Sequence, residues 1–238
     1  MKSILHHKPP EIIVVSGLDG SGKSTSAQNA AAALSKEYID RQISVLDTDG
    51  GTTYLGGLAV KVAGFVSRCY GLSQMNGPLH TAGTVAYTAC RRSLDARHRA
   101  GLEGDDVVIS VRDVARVDPA VYAPEICSVI FKRMSIGRRF DIFDKTTLLP
   151  PADSIIRMRA EVSEVMGSIG LRAVVDPHEN PESLKRLDID LDSANQLHRH
   201  RFGTTLHDVS ALKGDKTVDD LAALLESAVS DRRSLSRS

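Results

Sequence analysis

"IIVVSGLDGSGKSTSAQ", residues Ile12–Gln28, is the stretch whose reading decides the fold. Ile12–Val15 is a short β-branched apolar run, the pattern of a strand buried on both faces. Gly17, Gly22, Lys23 and Ser24 then fit G-x-x-x-x-G-K-S/T. Glycines at this spacing, Gly20 among them, let the backbone turn sharply, so that its N–H groups, including those of Ser21 and Thr25, converge on an anion. Lys23 can reach terminal phosphates, and the Ser24 hydroxyl can ligate magnesium. The segment from Ser24 to Lys36 is Ala-rich and favours a helix, whose positive N-terminal end faces the same anion. Strand, glycine loop and helix therefore occur in the order a nucleotide-phosphate cradle requires.

The remaining chain supports one α/β domain over residues 1–230, with a polar, aperiodic tail over 231–238. Apolar-rich runs at Ile43–Leu46, Val107–Val111, Ile142–Leu149 and Thr204–Val209 are expected as strands. Longer helical segments separate them, which predicts a mainly parallel sheet with helices on both faces. Ligands of such sheets collect at the carboxyl ends of the strands. "SIGLRAVVDPHENP", residues 168–181, is loop-like between two helical stretches and is expected to be a lid over a site that must exclude water.

Composition excludes several classes. The 238 residues carry 30 basic and 30 acidic side chains and no basic stripe, so a general nucleic-acid or anionic-membrane binder is not expected. No apolar run approaches the roughly 20 residues of a membrane span. Three scattered cysteines, Cys69, Cys90 and Cys127, show no zinc spacing and fit a reduced, cytoplasmic setting. "HRHRF", His198–Phe202, places two histidines at i and i+2, on different sides of a helix, and is expected at the surface.

Several segments together resemble the thymidylate kinases, P-loop enzymes that pass a phosphoryl group from ATP to dTMP. "GLDGSGKST" resembles the family's G-x-D-G-S-G-K-S-T, and "VLDTDGGTT" its second strand followed by R-E-P-G-G-T. "VAYTACRRSLDARHRAGLEGDDVVISVRD" resembles the helix and strand that end in D-R-Y. "TTLLPPADSIIRMR" resembles a strand, a Pro-Pro turn and a helix with a basic end, and "TTLHDVSALKGDKTVDDLAALLESAV" the last strand and helix. The resemblance implies a five-stranded parallel sheet in a three-layer sandwich, ATP and Mg2+ as donor and cofactor, and a homodimer. It assigns Asp19 to the acceptor's sugar, Arg91 to the acceptor's phosphate, and Arg157 to the neighbourhood of the lid.

The departures are as informative. The family's R-E-P arginine is absent, and Asp47, Thr48 and Asp49 stand there. Val111 replaces the D-R-Y aspartate, while Arg112 is kept and Asp113 follows. The stretch that would touch thymine reads "ARVDPAVYA". Asp113 is the preferred substitute carboxylate for catalysis and magnesium, since two residues along a strand restore the same face. Asp47 and Asp49 end the second strand and are candidates to contact the acceptor, to help hold magnesium or to accept the proton of an attacking hydroxyl, Asp47 being the runner-up to Asp113, and Arg112 is a candidate for phosphate or bracing. A lid arginine, Arg172 first, would neutralise charge on the transferred group. The expected activity is Mg-ATP-dependent transfer to a nucleoside monophosphate or similar phosphorylated molecule. The alternatives are a kinase of the same fold acting on another metabolite, and a nucleotide-binding module that transfers nothing.

Overall fold

The computed structural model describes residues 9–39, 41–47, 100, 102, 105–126, 131, 133–171, 179–210 and 219–227. The first apolar run lies within strand β1 (Glu11–Gly17), which is buried along nearly its whole length. Helix α1 (Lys23–Glu37) follows. Strands β2 (Ile43–Asp47), β3 (Val107–Val111), β4 (Ser154–Arg159) and β5 (Thr205–Ser210) complete a five-stranded sheet in the order β2-β3-β1-β4-β5. Every pairing is parallel. The chain passes from β1 to the edge strand β2, returns through β3, and continues to β4 on the other side of β1. The loop after β1 therefore sits where the strand order reverses, the place at which open α/β sheets bind ligands.

Alternation along β1 sorts the layers. Ile13 and Val15 face the cluster formed by α1 and the helix over residues 219–227, whereas Val14 packs with Ala152 and Ile155 on the opposite face. Ala27, Ala30, Ala31 and Leu34 form the buried stripe of α1 at helical spacing, and their small side chains let the helix lie close on the sheet. The opposite layer holds α2 (Val117–Ile126), α3 (Ile136–Thr146), α4 (Val162–Ile169) and α5 (Pro181–Phe202). Their apolar faces meet in a separate cluster around Phe140, Leu184, Leu187 and Leu191. The ends of α5 follow local rules: Asn180 accepts a hydrogen bond from Ser183 N, Pro181 opens the helix, and Gly203 ends it at φ 71°.

Two expectations fail. Residues 142–149 are not a strand. They are the last turns of α3, capped at its start by Ser135, and the run into the Pro150-Pro151 turn. Phe140 and Phe143 are buried three residues apart, a helical spacing that the apolar content of the run obscured. The strand lies after the prolines, at Ser154–Arg159, where a basic helix end was expected. Arg157 accordingly belongs to a central strand and is 1% exposed. Its guanidinium pairs with Asp188 and Asp192 of α5 instead of standing free near a lid. Of residues 168–181, expected as a lid, 168–169 end α4, 170–171 turn away from it, Pro181 begins α5, and 172–178 lie outside the described residues.

Candidate active site

The loop from Gly17 to Lys23 is walled by elements far along the chain. A Cβ on Gly17 would lie 2.9 Å from the Met158 carbonyl oxygen of β4 and 3.0 Å from Ser21 Oγ. Gly20 has φ 90°, and a Cβ there would lie 3.2 Å from Ile169 Cγ1 and 3.3 Å from the Val165 carbonyl oxygen of α4. Gly22 is the N-cap of α1 and no side chain caps that helix, so its first N–H groups point into the loop. Ser21 Oγ is buried and has no hydrogen-bond partner among the described residues. A cradle closed to side chains, an uncapped helix start and an orphaned buried hydroxyl fit a phosphate chain. Gly17→Ala should destabilise the fold by about 1–3 kcal/mol and weaken ATP binding, because the nearest atom is backbone that cannot swing aside. Urea unfolding and calorimetric titration with ATP check this; a variant matching wild type in both would show that β4 does not wall the loop.

The charges at the mouth of the loop converge on Asp19. Its Oδ1 accepts from Lys23 Nζ at 3.0 Å and from Arg112 Nη2 at 2.6 Å. Lys23 Nζ also donates to the Leu18 carbonyl oxygen at 3.0 Å. Lys23 is buried, and burial lowers its pKa from the usual lysine value, against the pull of Asp19. Arg112 stands at the carboxyl end of β3 with φ 113°, a region costly for a residue with a Cβ. That geometry is pinned by Ser110, whose hydroxyl donates to the Arg112 carbonyl oxygen at 2.7 Å and whose carbonyl oxygen accepts from Arg112 N at 3.0 Å. Strain held this firmly beside a cluster of charges is typical of functional sites.

Sequence reasoning missed two members of the site. Asp118 lies in the first turn of α2, and its Oδ2 is 3.8 Å from Arg112 Nη1. Burial pushes its pKa up to about 7, although Arg112 and Lys23 pull the other way. Tyr122, one turn further, places its ring 5.9 Å from the Arg112 guanidinium carbon, and burial raises its pKa well above the usual tyrosine value. Both come from the stretch "ARVDPAVYA". An Asp–Tyr pair at i and i+4 on a helix that starts just after a strand end is the signal that would have found them.

The other candidates divide. Asp19, Lys23 and Arg112 are brought together; Ser24 and Thr25 lie in the first turn of α1. Asp47 ends β2 in register with Val111. Asp113 is not where strand geometry would have put it. β3 stops at Val111, Arg112 bends the chain, and Asp113 Oδ1 instead accepts from the N–H groups of Ala115 and Arg116 at 3.0 Å each, ahead of α2. Its Oδ2 faces His198 Nε2 at 3.6 Å. His198 is therefore fully buried, contrary to the surface expectation, while His200 is exposed. Arg116 is likewise turned away, bonded to Asp144 and to the carbonyl oxygens of Leu149 and Pro150. Asp49, Arg91 and Arg172 lie outside the described residues.

No family model and no curated protein sequence matches the chain. Solved structures do. Thymidylate kinase from Candida albicans superimposes with a TM-score of 0.57 over 94% of this chain and 93% of its own, at 15% identity. The fold is that of the P-loop nucleotide kinases. Thymidylate kinase from Ehrlichia chaffeensis gives a TM-score of 0.55 at 14% identity, covering 93% of this chain and 100% of the other. Deoxyadenosine kinase from M. mycoides, solved with bound dATP, gives 0.54 at 14%, covering 91% and 99%. The fold shared with these kinases thus extends over nearly the whole chain, and the glycine loop Gly17–Lys23 lies within it. Among the described residues no helix is long and apolar enough to cross a membrane, and no group of three metal-ligating side chains occurs.

Proposed function

We propose that this chain transfers the γ-phosphoryl group of Mg-ATP to a nucleoside monophosphate or a similar small phosphorylated acceptor. The observation that carries this reading is the convergence of Lys23, Asp19 and Arg112 at the mouth of a glycine cradle. Such a reaction needs little covalent help from the protein. It needs the phosphates positioned and their developing charge neutralised. Backbone N–H groups from Gly20 to Thr25 would hold the phosphates of ATP, and Lys23, released from Asp19, would meet the β- and γ-phosphates. Ser24 would hold magnesium, which supplies charge neutralisation between the phosphates when bound. Arg112 would brace the acceptor side with Asp19, and Arg91 would hold the acceptor's own phosphate. The resemblances to thymidylate and deoxyadenosine kinases support a nucleotide-like acceptor, and the rewritten stretch from Ala115 to Ala123 argues against dTMP as the preferred one.

The test is an acceptor panel of nucleosides, nucleoside monophosphates and sugar phosphates, read by acceptor-dependent ADP release. Arg91→Ala should raise the acceptor KM by at least about tenfold and the ATP KM little, since an arginine fork matches a phosphate. Equal use of uncharged acceptors by both forms would remove Arg91 from this role. A second reading, a nucleotide-binding module that transfers nothing, has one observation in its favour: Val111, at the place of the family's aspartate, is fully buried and apolar. ATP binding without ADP release from any acceptor would support it.

A further inference from the structure

We propose that the atom phosphorylated is a hydroxyl oxygen of the acceptor and that Asp118 takes its proton. The inference rests on the kinase reading above and specifies the accepting group. Lys23 and Arg112 both make their short contacts to Asp19. Asp118, by contrast, is 3.8 Å from the nearest cationic nitrogen, beyond a hydrogen bond, and among the described residues its carboxylate accepts none. It is mostly buried, yet close enough to Lys23 for the lysine's charge to act on it. A carboxylate is thus held beside the phosphate loop with its hydrogen-bonding capacity unspent.

The chemistry of the two possible acceptors differs at this point. A phosphate oxygen that attacks ATP is already ionised at neutral pH, so it has no proton to give, and a neighbouring carboxylate would repel it. A hydroxyl must lose a proton as it attacks, and a carboxylate within reach assists directly. In the proposed step the hydroxyl oxygen forms a bond to the γ-phosphorus of ATP. The bond from that phosphorus to the β–γ bridging oxygen breaks, and ADP leaves with the electron pair. The hydroxyl proton passes to Asp118 and from there to water. The charges that act on Asp118 are Asp19 in the loop, Lys23 on α1, Arg112 at the end of β3 and Asp113 before α2, and the titratable Tyr122 lies near it on α2. Burial outweighs the two cations and leaves the group poised near neutrality, where a general base works best. An acceptor that carries a phosphate would on this account be anchored by it and receive the new one elsewhere.

The experiment uses the full chain with Mg-ATP and the acceptor panel, with products read by phosphorus NMR. A new phosphate monoester signal is the expected result. A diphosphate signal overturns the inference and leaves the kinase reading standing; no phosphorylated product from any acceptor overturns both. On an active acceptor, Asp118→Asn should lower kcat by about 10²–10⁴-fold, leave the ATP KM nearly unchanged and remove the acid limb of the pH–rate profile. Asp118→Glu should restore part of the rate. An Asp118→Asn variant that turns over like wild type with the same pH profile would exclude Asp118 as the base.

Discussion

Replacing Lys23 by methionine is expected to lower turnover by about 10²–10³-fold while leaving the melting temperature within a few degrees of wild type. The two halves of that result have different causes. Turnover should fall because the ammonium is the one side-chain cation the loop itself would offer the β- and γ-phosphates, and no arginine lies between Gly17 and Gly22. Stability holds because the native state gains little from this charge. Burial already disfavours the ammonium, and methionine keeps most of the volume. Asp19 would retain Arg112 at 2.6 Å and so would not be left as an isolated buried carboxylate. Steady-state kinetics and thermal unfolding of the same preparation check both halves. Normal turnover would show that the loop does not bind nucleotide as its geometry suggests.

Asp118→Asn should make the protein more stable at pH 8 and progressively less so as the pH falls towards 4. Burial pushes the carboxyl group's pKa up to about 7 in the folded chain, against the ordinary aspartate value of 3.8. Between those values the folded state keeps a proton that the unfolded chain releases, so stability from this group is present in acid and is lost as the pH rises through 7. The full difference amounts to about 4 kcal/mol, an upper bound since a site open to acceptor also admits water. Asparagine cannot ionise and escapes the loss. His198 slopes the opposite way: burial lowers its pKa, so its contribution to stability rises as the pH increases towards the ordinary histidine range. That slope is common to wild type and variant, so the difference between their urea midpoints isolates Asp118. A difference independent of pH would mean that Asp118 is not buried as described. The expected pH-dependent difference, together with a fall in turnover, would mark a group kept at a cost to stability for its chemistry.

Legibility in the sequence followed the range of the interactions. The strand–glycine loop–helix setting could be read because its requirements are local: backbone freedom at fixed spacing, a strand before and a helix after. The parallel sheet could be read from the recurrence of β-branched runs. The misplaced strand at residues 142–149 shows the limit of that signal, since Ile142 and Phe143 are apolar for the sake of a helix face. His198 was misread for a different reason. Its spacing from His200 was correctly taken to separate the two, but the stripe Leu184, Leu187, Leu191, Ala194 and Asn195 runs at helical spacing straight to His198. Following the stripe would have placed it inside. Asp118 was hidden because its burial depends on the bend at Arg112, which no local pattern announces. The same bend diverted Asp113, whose position in sequence had made it the natural substitute for the missing aspartate.

The walls of the glycine loop also bear on when that loop takes its shape during synthesis. The glycine–lysine motif is synthesised well before the residues that wall it, since Gly17 is fitted against Met158 and Gly20 against Val165 and Ile169. β1 itself gains one of its two sheet neighbours only when β4 arrives. A nascent chain that ends before β4 therefore holds the whole glycine loop without the β4 and α4 surfaces that wall it. If the loop holds a nucleotide as proposed, that competence waits on β4 and α4, and bound nucleotide would then stabilise contacts between segments far apart in the chain.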